Sequence, residues 1–192
     1  IGASRMDKTD STLGSFSNDC SRVLIVCKDS EENKSGISFL NQFGLVKKDK
    51  YVCLLVRDSK YLDTYHKTGA DWSYHDYRNS DIDSYEEAII ALVNKGYWVF
   101  RMGKIVREPL KIKHPRVIDY ANLKLRNDFL DIWLMANSYF TISTSTGLDD
   151  VSKAFRRPIV YVNFLHVGTF EFYSENYINQ PKSLKLKKTG KF

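Results

Sequence analysis

Apolar residues along this chain fall in short blocks, and the polar stretches between several of them carry a helical rhythm. "YVCLLVR" (51–57) is unbroken and ends in a charge, the pattern of a strand buried on both faces. "YWVFR" (97–101), "RVIDY" (116–120), "YFTIS" (139–143) and "PIVYVN" (158–163) read the same way, and "RVLIVCK" (22–28) is a strand or an inter-lobe segment. Between them, "SGISFLNQFGL" (35–45) spaces Ile37, Leu40 and Phe43 at helical intervals and stops at Gly44. "SYEEAIIALVNKG" (84–96) reads as a helix with Ser84 as N-cap, Glu87 completing a capping box and Gly96 at its end. "DFLDIWLMAN" (128–137) follows Asn127 as N-cap, and a further helix covers roughly 147–155. Strands separated by helices predict a parallel sheet covered on both faces, a Rossmann-like α/β domain.

The polar first thirty residues read as a linker or inter-lobe segment, residues 31–180 as the domain, and 181–192 as a basic tail. The chain begins at Ile1 rather than methionine, which suggests a piece of a longer protein. Of its 192 residues 43% are hydrophobic and 14% aromatic, which excludes a disordered chain. The net charge of +6 hints at nucleic acid, but the tail "PKSLKLKKTGKF" holds five lysines and no acid, so the remainder carries 6 − 5 = +1. A nearly neutral body argues against a nucleic-acid partner. Cys20, Cys27 and Cys53 form no CxxC pair and no zinc spacing, and they read as buried thiols of a reducing compartment. No apolar run approaches the roughly 20 residues of a membrane span, so a cytoplasmic protein is expected.

A parallel sheet places ligands beyond the carboxyl ends of its strands. The residues there are Arg57 and Asp58, then Arg101, Gly103 and Lys104, then Asp119 and Tyr120, and finally Ser143, Thr144, Ser145, Thr146 and Gly147. Four hydroxyl residues closing on a glycine at a helix start offer hydroxyls, backbone N–H groups and the positive end of a helix dipole, which together suit a phosphate. A simple helix cap would account for one hydroxyl only. Asp149 and Asp150 either face solvent or accept hydrogen bonds from sugar hydroxyls. The loop matches neither GxGxxG nor GxxxxGK[ST], so the cations must come from elsewhere. Arg57 and Arg101 follow buried strands, and Lys104 and Arg78 are further candidates. The alternative for either arginine is a structural ion pair, with Asp58 for instance. Asp81 and Asp83 precede a helix and read as turn residues, so a diphosphate site without bound metal is expected.

"GISFLNQFGL…YVCLLVRDSKY", "DYRNSDIDSYEEAIIALVNKGYWVFRMGK" and "DFLDIWLMANSYFTISTSTGLDDVSKAFRRPIVYVN" together resemble the C-terminal portion of bacterial GT-B-type glycosyltransferases of surface-polysaccharide gene clusters, over roughly residues 35–165. More distantly, the last segment is similar to the donor-binding lobes of heptosyltransferases and of the UDP-sugar epimerase with the same two-lobed fold. In those proteins a small-residue loop holds the donor diphosphate, and the matching positions here are Ser143 to Gly147. Heptosyltransferases have a histidine shortly after that glycine, whereas here Leu148, Asp149 and Asp150 follow.

The resemblance implies transfer of a sugar from a nucleotide-sugar donor, the substrate rather than a cofactor, to a glycan or lipid-linked acceptor. An N-terminal lobe would supply the acceptor site and any general base. Arg57 and Arg101 would stabilise the departing diphosphate, with Arg78, Gly103, Lys104 and the Ser143–Gly147 loop binding it. Asp119, Tyr120 and Asp149 would meet nucleoside or sugar hydroxyls. The alternatives are a nucleotide-sugar-binding module without activity, or an epimerase using carboxylates as acid and base. His66 and His75 flank the "TGADWSY" loop, either facing the crevice or lying on the surface. The lysine-rich tail is a solvated terminus or a peripheral contact with the anionic inner face of a membrane.

Overall fold

The computed structural model describes residues 30–65, 73–165 and 174–184. Six strands, β1 (Tyr51–Leu55), β2 (Trp98–Met102), β3 (Val117–Ile118), β4 (Phe140–Ser143), β5 (Ile159–Phe164) and β6 (Tyr177–Pro181), form one sheet in the order β3-β2-β1-β4-β5-β6. Every neighbouring pair is parallel. This is the α/β Rossmann-like architecture the strand–helix alternation predicts. The strand order reverses between β1 and β4, the switch point at which such sheets open a crevice.

Helices α1 (Glu31–Asn41), α2 (Lys60–Tyr65), α3 (Glu86–Asn94), α4 (Asp128–Asn137) and α5 (Asp149–Ala154) accompany the sheet. On one face Tyr51, Cys53 and Leu55 of β1 join Phe100 and Met102 of β2 and pack against Phe39 of α1 and Leu130, Trp133 and Leu134 of α4. On the other, Leu54, Val56 and Val99 meet Ile82, Tyr85 and Ile89, at and before α3, together with Leu110. The Cys53 thiol is fully buried and donates to the Leu134 carbonyl at 3.6 Å, a buried structural thiol; Cys20 and Cys27 lie outside the described residues.

The sequence expectations meet three corrections here. The first helix begins at Glu31 rather than 35, because the Ser30 hydroxyl accepts from the Asn33 amide and caps it. Its buried face is Gly36 and Phe39, with Leu40 and Phe43 packed alongside, while Ile37 is exposed. Ser84 is not an N-cap. The Asp81 carboxylate accepts from the Asp83 amide and starts a 3-10 turn, Ile82–Tyr85, that runs into α3. The Ser84 hydroxyl instead donates back to the Asp81 carbonyl at 2.7 Å. Helix α2, the 3-10 segment Ser73–Arg78 and strand β6 are additional elements.

The cap of α4 matches the expectation: Asn127 Oδ1 accepts from the Leu130 amide at 2.8 Å. Asn127→Ala is expected to cost about 1 kcal/mol in urea denaturation, with Asn127→Asp recovering most of it. Equal stability of the alanine variant would show that the cap contributes nothing.

Candidate functional site

A crevice of about 530 Å³ opens where β1 and β2 end, walled by the starts of α2 and α5 and by α4. Its lining is largely apolar, with Leu55, Val56, Met102, Ile105, Val106, Ile132, Leu148 and Val151 around Arg57, Lys104, Thr146 and Gly147. Mostly apolar walls with a few convergent polar groups are the usual make-up of a small-molecule site.

The polar groups converge at the end of β1. Burial pushes the Arg57 guanidinium below its ordinary pKa, and the neighbouring Arg78 cation lowers it further. Neither arginine forms an ion pair among the described residues. Arg57 Nε is buried with no hydrogen-bond partner, and Arg78 reaches only the Ser145 carbonyl, at 3.4 Å. Asp58 and Asp76 act against these effects without forming an ion pair with either arginine, and an anion brought to the two cations would stabilise both.

The hydroxyl loop is more self-contained than its composition suggests. Thr144 Oγ1 accepts from the Arg57 amide at 2.8 Å, and the Thr144 amide donates to the Leu55 carbonyl, so this residue ties the loop to β1. The Ser143 hydroxyl donates to Asp149 Oδ2 at 2.5 Å and accepts from the Ser145 amide, and the same carboxylate oxygen accepts from the Thr146 amide at 2.9 Å. Asp149 is 2% exposed. It is therefore neither a solvated first-turn acid nor a ligand for sugar hydroxyls: it closes the loop on itself. Ser145 sits at φ 64, a left-handed conformation fixed by these bonds. The Thr146 hydroxyl is buried without a hydrogen-bond partner, and the approach over Gly147 is open, since an added Cβ there would meet nothing within 4 Å.

Burial raises the Asp149 pKa above its ordinary 3.8, against the lowering effect of its hydrogen bonds to Ser143 and Thr146. A carboxylate raised by folding contributes stability that is present below the unfolded value and is lost as pH rises through the folded one. One oxygen accepts both bonds, so Asp149→Asn can keep both without burying a charge. We expect this variant to match or exceed the parent at pH 7 and to show a flatter rise in stability on acidification below pH 7, read by urea denaturation at several pH values. Asp149→Ala, which strands both donors, is expected to lose about 2–3 kcal/mol. A steep loss in the asparagine variant at pH 7 would show that the charge itself is required.

Arg101 occupies a different environment. It is 1% exposed, and its guanidinium pairs with Asp119 at 3.3 Å and Asp58 at 4.0 Å. Burial lowers its pKa, and Asp119 acts in the opposite direction. The structural ion pair prevails over a free catalytic cation. Asp119 is spent on Arg101, the Leu110 amide and Asn122, and Tyr120 is wholly buried, with its hydroxyl donating to the Asn127 carbonyl. Neither is presented to a nucleoside. Gly103 lines the crevice through its backbone at φ 151, and Lys104 stands at the mouth, 3.8 Å from Asp128. His66 lies outside the described residues, whereas His75 stacks with Tyr74 in the 3-10 segment. The sequence reading missed the apolar walls and the tyrosine-bearing helix α2, whose six residues are too short to show a period.

No protein-family model matches this chain, and no curated protein does. One solved structure, the E. coli heptosyltransferase WaaC with ADP-2-deoxy-2-fluoro heptose, is similar at 17% identity and a TM-score of 0.42. The alignment covers 72% of this chain and 40% of that one, so the chain spans less than half the neighbour's length. No helix among the described residues is long and apolar enough to cross a membrane.

Proposed function

We propose that this chain is the donor-binding lobe of a glycosyltransferase, which holds a nucleotide sugar in the crevice at the ends of β1 and β2 and transfers the sugar to an acceptor hydroxyl. The observation that carries this reading is the pair Arg57 and Arg78, two adjacent cations neither of which forms an ion pair among the described residues, beside the open approach over Gly147. A diphosphate meets both cations, and the apolar walls suit the faces of a nucleoside. The cations would stabilise the charge that develops on the departing diphosphate as the bond to the sugar breaks. The resemblance in sequence assigns the acceptor site and the general base to a further lobe, and surface polysaccharide to the product. Asp119 and Asp149 are engaged in internal hydrogen bonds, which favours the transferase reading over the epimerase alternative.

A thermal-shift screen against UDP, GDP, ADP and CMP sugars tests the proposal, since a ligand at 100 times its dissociation constant stabilises by about 2.7 kcal/mol. No shift with any of them would end the donor reading. Gly147→Val sharpens the test: the new side chain projects into open crevice, so the fold should persist while nucleotide binding falls below detection. Unchanged affinity in that variant would move the diphosphate elsewhere.

A further inference from the structure

We infer that Asp58 is a positioning residue for the donor: its carboxylate holds together the two walls between which the nucleoside lies. The inference rests on the donor reading of the main crevice and assigns the two ends of that crevice. Its lining follows the carboxyl ends of three neighbouring strands, from Thr146 and Gly147 after β4, past Arg57 and Asp58 after β1, to the loop from Gly103 to Val106 after β2. Strands β4 and β2 flank β1, so the two ends stand about 10 Å apart, two strand spacings. A diphosphate at Arg57 and Gly147 therefore sends its nucleoside toward β2, where Leu62, Met102, Ile105 and Val106 present apolar surface.

The walls at that end are α2 and the loop after β2, and Asp58 joins them. Its Oδ1 accepts from the Lys60 amide at 2.9 Å, at the start of α2, and its Oδ2 accepts from the Arg107 amide at 2.9 Å, where the loop ends. Behind the carboxylate, the buried Arg101 guanidinium stands 4.0 Å from Oδ2 and pairs with Asp119, which in turn accepts from the Leu110 amide at 3.0 Å. The Arg101 charge thus anchors Asp58 and the chain beyond the loop together. On the outer side Arg107 pairs with Asp63 of α2 at 3.6 Å and donates to the Ser59 hydroxyl, a second link between the same walls. The loop itself is tightly wound, since a Cβ on Gly103 would lie 2.7 Å from Val106 Cγ1. At the anion end Asp58 has the opposite sign of effect. It is a negative charge near Arg57, so it opposes a diphosphate there while it shapes the nucleoside slot.

Asp58→Asn in the full chain separates these effects, with UDP, GDP, ADP and inorganic pyrophosphate as probes in calorimetric titrations. The new amide nitrogen cannot accept, so one of the two backbone bonds is lost together with the charge facing Arg101. The unaltered chain is expected to bind at least one nucleoside diphosphate more tightly than pyrophosphate. Asp58→Asn should weaken that nucleotide about tenfold, the worth of a hydrogen bond to a charged group, while pyrophosphate binds as well or better. Both probes tightened, both weakened or neither changed, in a variant with the parent's near-UV circular dichroism, overturns the inference. Should the variant fold poorly, 15N amide shifts of the unaltered chain decide: the nucleotide moves Ile105, Val106 and Arg107, and pyrophosphate leaves them in place. Equal shifts with the two probes overturn it. If pyrophosphate binds and no nucleoside diphosphate binds more tightly, the nucleoside slot fails while the anion site stands; if neither binds, the donor reading fails first.

Discussion

Arg57→Met is expected to make the chain more stable while removing its affinity for nucleoside diphosphates. The guanidinium sits partly buried beside Arg78, with Nε unpartnered, so the unliganded protein holds a charge that Asp58 and Asp76 offset only in part. Methionine fills similar space without it, and a gain on the order of 1 kcal/mol follows, after allowing for screening at a partly exposed site. The loss of charge-assisted hydrogen bonds to a diphosphate runs the other way, about 1.5–3 kcal/mol or more than tenfold in affinity. Arg57→Lys keeps the charge but not the planar fork, so it should lose affinity with little gain in stability. Urea denaturation and nucleoside diphosphate titration on the same variants decide the matter. Lower stability with affinity retained would make Arg57 a structural residue and remove the main support for the proposed function.

A large structural effect is expected at Gly36→Ala. Helix propensity alone favours alanine by about 1 kcal/mol in a helix interior. Packing opposes it: a Cβ at this position would lie 2.1 Å from Trp133 Cε2 and 2.2 Å from Cδ2, inside the indole of a core residue. The ring must shift among Phe39, Leu130 and their neighbours, and overpacking of this severity costs about 3 kcal/mol. Packing therefore wins, and the variant should be destabilised by about 2 kcal/mol net. Trp133→Leu is destabilising by itself, yet the double variant should be markedly more stable than the sum of the two, because the smaller side chain vacates the space the methyl needs. Additive losses in urea denaturation would show that the two residues do not compete.

These cases show what was legible in the sequence. The α4 boundaries and the Asn127 cap were readable because a cap is a local signal, written within four residues. The five readable strands were nearly continuous in apolar residues, β1 and β2 buried throughout and β3, β4 and β5 partly so, whereas "YINQP" of β6 alternates half-buried and exposed positions on a sheet edge and carries no such run. Gly36 carried no signal in the sequence, since its meaning depends on a tryptophan almost a hundred residues away. The hydroxyl loop follows β4 as its sequence position implied, but its composition could not show which hydroxyls Asp149 and Arg57 consume internally. The same limit applied to Arg101, whose partners Asp58 and Asp119 come from the ends of two other segments.

The wholly parallel sheet bears on how the chain is made. Among the described residues no strand pairs with a neighbour through a hairpin, so each of these pairings must wait for a more distant part of the chain. At the centre, Val52 lies beside Phe140 and Leu55 beside Ser143. During synthesis the apolar segment Tyr51–Leu55 therefore leaves the ribosome long before one of its two flanking strands exists. Nascent chains of this topology depend on slow loop closure and expose a sticky central strand in the interval, the period in which chaperones compete with aggregation.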